Sequence, residues 1–73
     1  MPKYEIDIEG MRYEWDRDTI TVAELRELGG LPAGQEMIEI DLKDNSERTL
    51  EEGEHVELRP GVGFAKKVRF QRG

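Results

Sequence analysis

The 73-residue chain contains no cysteine. Disulfides, thiolate metal ligands, iron–sulfur clusters and a cysteine nucleophile are therefore excluded, and stability has to come from packing. It has one histidine, one tryptophan and two phenylalanines. No run approaches the ~20 apolar residues of a membrane span, and Met1-Pro2-Lys3-Tyr4 opens without the apolar stretch of a leader. The expectation is a cytoplasmic protein with no membrane partner. At this length one domain fits, with a core limited to one sheet and a helix. Basic residues are sparse over most of the chain. All 17 acidic side chains fall between Glu5 and Glu57, whereas Lys66, Lys67, Arg69 and Arg72 crowd positions 61–73. An acidic body repels phosphate backbones, so nucleic acid is not an expected partner. The basic run is either a solvated terminus or a guide into an acidic groove on a partner.

What is present is periodic. Tyr4, Ile6 and Ile8 alternate with Glu5 and Asp7, Glu9-Gly10 supplies a turn, and Met11, Tyr13 and Trp15 alternate with Arg12 and Glu14. That pattern predicts a β-hairpin with three aromatic rings on its apolar face. Val22, Leu25 and Leu28 recur at helical spacing behind Thr21-Val22-Ala23-Glu24, a capping box, with Ile20 and Leu25 placed for a hydrophobic staple. Gly29-Gly30, followed by Pro32, ends this helix after about two turns. Ile38, Ile40 and Leu42, set against Glu39 and Asp41, predict a third strand over 36–42 with the aliphatic residues inward, closing at Lys43-Asp44-Asn45-Ser46. Leu50, alone in a polar stretch, is expected to plug the core from a loop. Val56 and Leu58 are expected to face inward from a last strand over 55–58, which Pro60-Gly61 closes.

Hairpin, helix, strand, loop, strand, joined by a right-handed crossover, is the β-grasp plan: an α+β fold whose helix covers one face of a mixed sheet. Gly61-Val62-Gly63 reads as a hinge that divides a β-grasp domain at 1–60 from a basic C-terminal tail at 61–73. Within that tail Phe64, Val68 and Phe70 would pack on the body, await a partner, or extend the last strand as an edge ribbon.

Little of this sequence carries chemistry. Tyr4, Tyr13 and Trp15 lie beside Glu5, Asp7 and Glu14, which suits core packing and not a base-stacking platform. His55 has no serine, cysteine or second histidine at a catalytic or metal-binding spacing, and reads as a surface or strand-edge residue. Asp41, Asp44, Asn45 and Glu47 lack the central glycine and distal glutamate of a calcium loop, so they read as a polar turn. Gly61-Val62-Gly63 is not followed by the helix and lysine-serine pair of a phosphate cradle. No catalytic residue, metal ligand or cofactor is expected, and the chain is not expected to be an enzyme.

Asp18-Thr19-Ile20, the short helix, and then Gly30-Leu31-Pro32-Ala33-Gly34-Gln35-Glu36-Met37-Ile38 resemble the same stretch of ubiquitin in order and spacing. Through the hairpin, the helix and the closing Val56-Glu57-Leu58-Arg59-Pro60-Gly61-Val62-Gly63-Phe64, the chain is similar to the bacterial multiubiquitin-domain family. The resemblance spans most of the body. It implies a ubiquitin-like protein modifier of a bacterial ubiquitination-like pathway, encoded near an adenylating activating enzyme, a conjugating enzyme and a deconjugating metalloprotease, and joined to target proteins through its C-terminal carboxylate. Gly73 then takes the conjugation role, since a residue without a side chain passes a narrow active-site channel. Arg72, Arg69, Phe70, Lys66 and Lys67 are then the tail that those enzymes read. Two departures from ubiquitin stand out. A single terminal glycine follows Arg72 where ubiquitin has a pair, and Glu39 occupies the place of an exposed isoleucine, which would exchange an apolar recognition patch for charge. Two other functions fit the same fold. One is a non-conjugated adaptor that binds partners through its acidic face or strand edges, and the other is a sulfur carrier, which normally ends in paired glycines.

Overall fold

The computed structural model describes residues 4–68. Strands β1 (Tyr4–Ile8) and β2 (Met11–Trp15) pair antiparallel, with Tyr4 opposite Trp15 and Ile8 opposite Met11. Glu9 and Gly10 both take left-handed backbone angles, φ 55° and 81°, the two-residue geometry that matches the twist of a hairpin. The Gly10 N–H also donates to Asp7 Oδ1 at 3.1 Å.

Strand β3 (Thr19–Thr21) runs straight into helix α1 (Val22–Leu28). The capping box forms as its residues dictate: the Glu24 N–H donates to Thr21 Oγ1 at 3.1 Å, and the Thr21 N–H donates to Glu24 Oε1 at 2.9 Å. At the other end Leu31 N–H donates to Arg26 O at 2.8 Å and Gly30 N–H to Glu27 O at 3.2 Å. Gly30 sits at φ 70°, so the helix closes in a Schellman motif.

Four more strands follow: β4 (Met37–Asp41), β5 (Ser46–Thr49), β6 (His55–Glu57) and β7 (Val62–Lys66). The main sheet runs β2-β1-β7-β4-β5, with β7 parallel to β1 and antiparallel to β4, while β3 and β6 form a separate antiparallel pair. This is the α+β, β-grasp fold expected from the element order. Ile6, Ile8, Ile20, Val22, Leu25, Met37, Leu50, Val56 and Phe64 make the core, and Leu50 enters it from a loop as anticipated.

Three features depart from the sequence reading. First, residues 62–66 are not the start of a tail: β7 is the central strand, its Gly63 and Phe64 are buried, and so the division between 1–60 and 61–73 cuts through the sheet. Gly61, at φ 81°, makes the turn, but Gly63 is held between Asp7 and Ile40 and is no hinge. Second, the phase of β4 is shifted by one residue. Met37 and Glu39 face the helix side, where Glu39 lies opposite the core residue Phe64, while Ile38 and Ile40 lie opposite Ala65 and Gly63 on the outer face. Third, β3 and β5 are strands where connections were expected, β5 being an exposed edge with no apolar residue to announce it.

Candidate interaction surface

With the core assigned, two ion-paired groups that hold loops to the body and one partly apolar sheet face stand out. Glu39 is only 8% exposed, a position a carboxylate holds only with partners. Arg48 Nη2 reaches its Oε1 at 3.2 Å from β5, and Arg59 Nη2 reaches its Oε2 at 3.6 Å from the segment before β7. Arg48 also binds Glu54 Oε2 at 2.8 Å. That bond is the main reason the Glu54 carboxyl sits below the usual range, helped by the Glu51 N–H, and the same bond holds the Arg48 proton more firmly. The four side chains clamp the open edge strand β5 to the loop after Leu50. Glu39 is therefore not an exposed charge in place of an apolar recognition residue, which corrects that expectation.

A second clamp closes the end of α1. Arg26, 8% exposed, sends Nη1 to Glu52 Oε2 at 2.9 Å and to Gln35 O at 3.1 Å. The bond to Glu52 lowers that carboxyl and raises the guanidinium. Sequence reading gave Arg26 no role, because its partners lie in loops far along the chain.

On the outer face of the sheet, buried Ile38 and half-buried Ile40 and Ala65 share one side, and Leu42, 53% exposed, reaches over Gly63 toward Asp7. This leaves an aliphatic strip bordered by Asp7 and Glu47. His55 is exposed on β6, as expected of a strand-edge residue, opposite Thr21. Asp41 Oδ1 accepts the Lys43 N–H at 2.9 Å and Asp44 Oδ1 the Ser46 N–H at 3.0 Å, so these carboxylates build the polar turn. Among the described residues no group of histidine, aspartate and glutamate could hold a metal ion, and no helix is long and apolar enough to cross a membrane.

Set against known protein families, residues 4–68 match Multiubiquitin. The chain belongs to the Multiubiquitin family. No curated protein and no solved structure matches it. In this Multiubiquitin domain the residues expected to be read by conjugation enzymes divide. Lys66 is exposed at the end of β7, and its N–H donates to Glu9 Oε2 at 2.9 Å. Lys67 is tied to the body: its N–H donates to Glu36 O at 2.8 Å, its O accepts from Gln35 Nε2 at 3.3 Å, and its Nζ donates to Thr49 Oγ1 at 3.0 Å. Val68 follows, 61% exposed. Arg69, Phe70, Arg72 and Gly73 lie outside the described residues.

Proposed function

We propose that this Multiubiquitin-family domain is a ubiquitin-like protein modifier, conjugated to target proteins through the carboxylate of Gly73 in a bacterial ubiquitination-like pathway. The chemistry belongs to its partners, an adenylating activating enzyme, a conjugating enzyme and a deconjugating protease, and the domain itself is no enzyme. One observation carries this reading. The chain runs out of the central strand of a β-grasp sheet, and Lys67 is fixed to Glu36, Gln35 and Thr49 at the point of departure. A terminus delivered into an enzyme channel has to leave a rigid body at a defined place, because orientation lowers the barrier for each transfer step. Lys66, Arg69, Phe70 and Arg72 then serve as the segment an acidic enzyme groove reads.

A non-conjugated adaptor is the second reading, favoured by exposed Leu42 and half-buried Ile40 on the outer sheet face. One experiment separates the two. The purified chain is incubated with magnesium-ATP and a candidate adenylating activating enzyme, and intact mass is recorded. An adenylate or enzyme-linked adduct that disappears when Gly73 is deleted is the expected result. An activating enzyme that is competent on another substrate but leaves this chain unmodified transfers the assignment to the adaptor.

A further inference from the structure

The pairing of β1 with β7 is short. Only Asp7 and Ile8 take part, and Glu9 N–H carries the ladder one step further by donating to Phe64 O at 2.8 Å. Toward the N-terminus the ladder stops, because the chain entering β7 turns away at Pro60 and Gly61, and Gly61 O accepts the Leu42 N–H at 2.9 Å. In an antiparallel hairpin the main-chain groups of successive residues point alternately to the two sides. Asp7 and Glu9 direct theirs toward β7, so Glu5 does the same. Where it would meet a strand, it meets a cleft of about 680 Å³ lined by residues of β1 and of the 58–62 segment.

The two walls of that cleft differ. On the core side stand Tyr4 and Leu58, both half-buried, with Ile6 and Phe64 beneath them. On the outer side stand the carboxylates of Glu5, Asp7 and Glu14. Two arginines also border it. Arg12 lies 3.6 Å from Glu5 in an exposed pair, and Arg59 lies 3.6 Å from Glu39. A strand lying in the plane of the sheet would present alternate side chains to these two walls.

We propose that the cleft binds an extended segment of a partner protein in which apolar and basic residues alternate. The segment adds to the free edge of β1 over Tyr4–Ile6, about 10 Å of strand. Its main chain pairs with Glu5, its apolar side chains cover Tyr4 and Leu58, and its basic side chains lie beside Glu5, Asp7 and Glu14. This site is independent of conjugation through Gly73 and would operate in either functional reading.

The probe is the peptide acetyl-Val-Arg-Val-Arg-Val-amide, titrated into the ¹⁵N-labelled full chain and followed by NMR. Saturable shifts confined to residues 4–8 and 58–62, with slowed exchange of the Glu5 amide, are expected. Glu5→Gln, an exposed change, should weaken binding about threefold by loss of one charge partner. The same peptide N-methylated at its three central residues keeps every charge but loses the main-chain donors that face β1 in either strand direction, and should bind about fivefold or more weakly. Equal binding of the methylated peptide overturns the proposal, since attraction would then be charge alone. Shifts confined to Ile38, Ile40 and Leu42 overturn it as well. So does concentration-dependent self-association through residues 4–6 without peptide, which would give the cleft to a second copy of this chain.

Discussion

Gly29 and Gly63 both face side chains from other strands or loops, yet their surroundings set opposite tolerances. At Gly29 the backbone is ordinary, φ −84°, but an added Cβ would lie 2.9 Å from Ile8 Cγ2, and Ile8 is fully buried and cannot withdraw. Gly29→Ala is therefore expected to destabilise by about 1–3 kcal/mol, the usual cost of overpacking. At Gly63 the nearest atoms to an added Cβ, Asp7 Oδ1 and Leu42 Cδ2, both stand at 3.6 Å, ordinary contact distance. Gly63→Ala should stabilise by about 0.5–1 kcal/mol by restricting the unfolded chain. Urea denaturation of the two variants checks the pair; the same sign in both would contradict this packing. Residue-level reading of the sequence was strongest where partners are close by. Thr21 and Glu24 are three positions apart, and their reciprocal bonds were legible as a pattern. Glu39 was not, because Ile38, Ile40 and Leu42 alternate with Glu39 and Asp41, so the period-two pattern points to the opposite phase. What admits Glu39 to the core face is a pair of guanidinium groups, Arg48 and Arg59, that no local window contains.

At the level of elements, β7 decides whether there is a domain at all. Among the described residues it is the one strand that joins the β1–β2 hairpin to the β4–β5 pair within the main sheet, and it supplies Phe64 to the core. A chain ending after Pro60 should show neither dispersed amide resonances nor a cooperative melt, whereas residues 4–68 should show both. A cooperative melt of the shorter chain would rule out a central β7. The boundary after residue 60 was drawn from composition: two glycines around one valine look like a hinge. The sequence around Val62 carries no sign that Gly63 is held from both sides, since that depends on Asp7 and Ile40 arriving from elsewhere. Strand β5 was missed for a related reason. Ser46, Glu47, Arg48 and Thr49 are all exposed, and only their pairing with β4 makes them a strand. The hairpin, the helix and the order of the fold were legible because each rests on its own periodicity and turn chemistry.

Across the whole molecule, acid should weaken the fold. The Thr21 N–H, and then Arg17, hold the Glu24 carboxyl below its usual range. Arg26 does so for Glu52, Arg48 for Glu54, and the Ser46 N–H for Asp44. A carboxyl whose folded pKa is depressed binds fewer protons folded than unfolded. Its contribution is complete above the unfolded value of about 4 and is lost as pH falls through the folded one. The urea midpoint should stay level from pH 7 to about 5 and drop below about 4.5. A midpoint that rises on acidification would mean that relief of the −6 net charge outweighs the clamps. The placement of β7 has one more consequence, and it concerns synthesis. A sheet whose middle strand emerges after every other strand cannot close while the ribosome is still delivering residues 62–66, at roughly 5–20 residues per second. Until then the nascent chain holds two hairpins with nothing between them. A translation product interrupted before β7 is therefore expected to hold no folded half and to be open to proteolysis along its length.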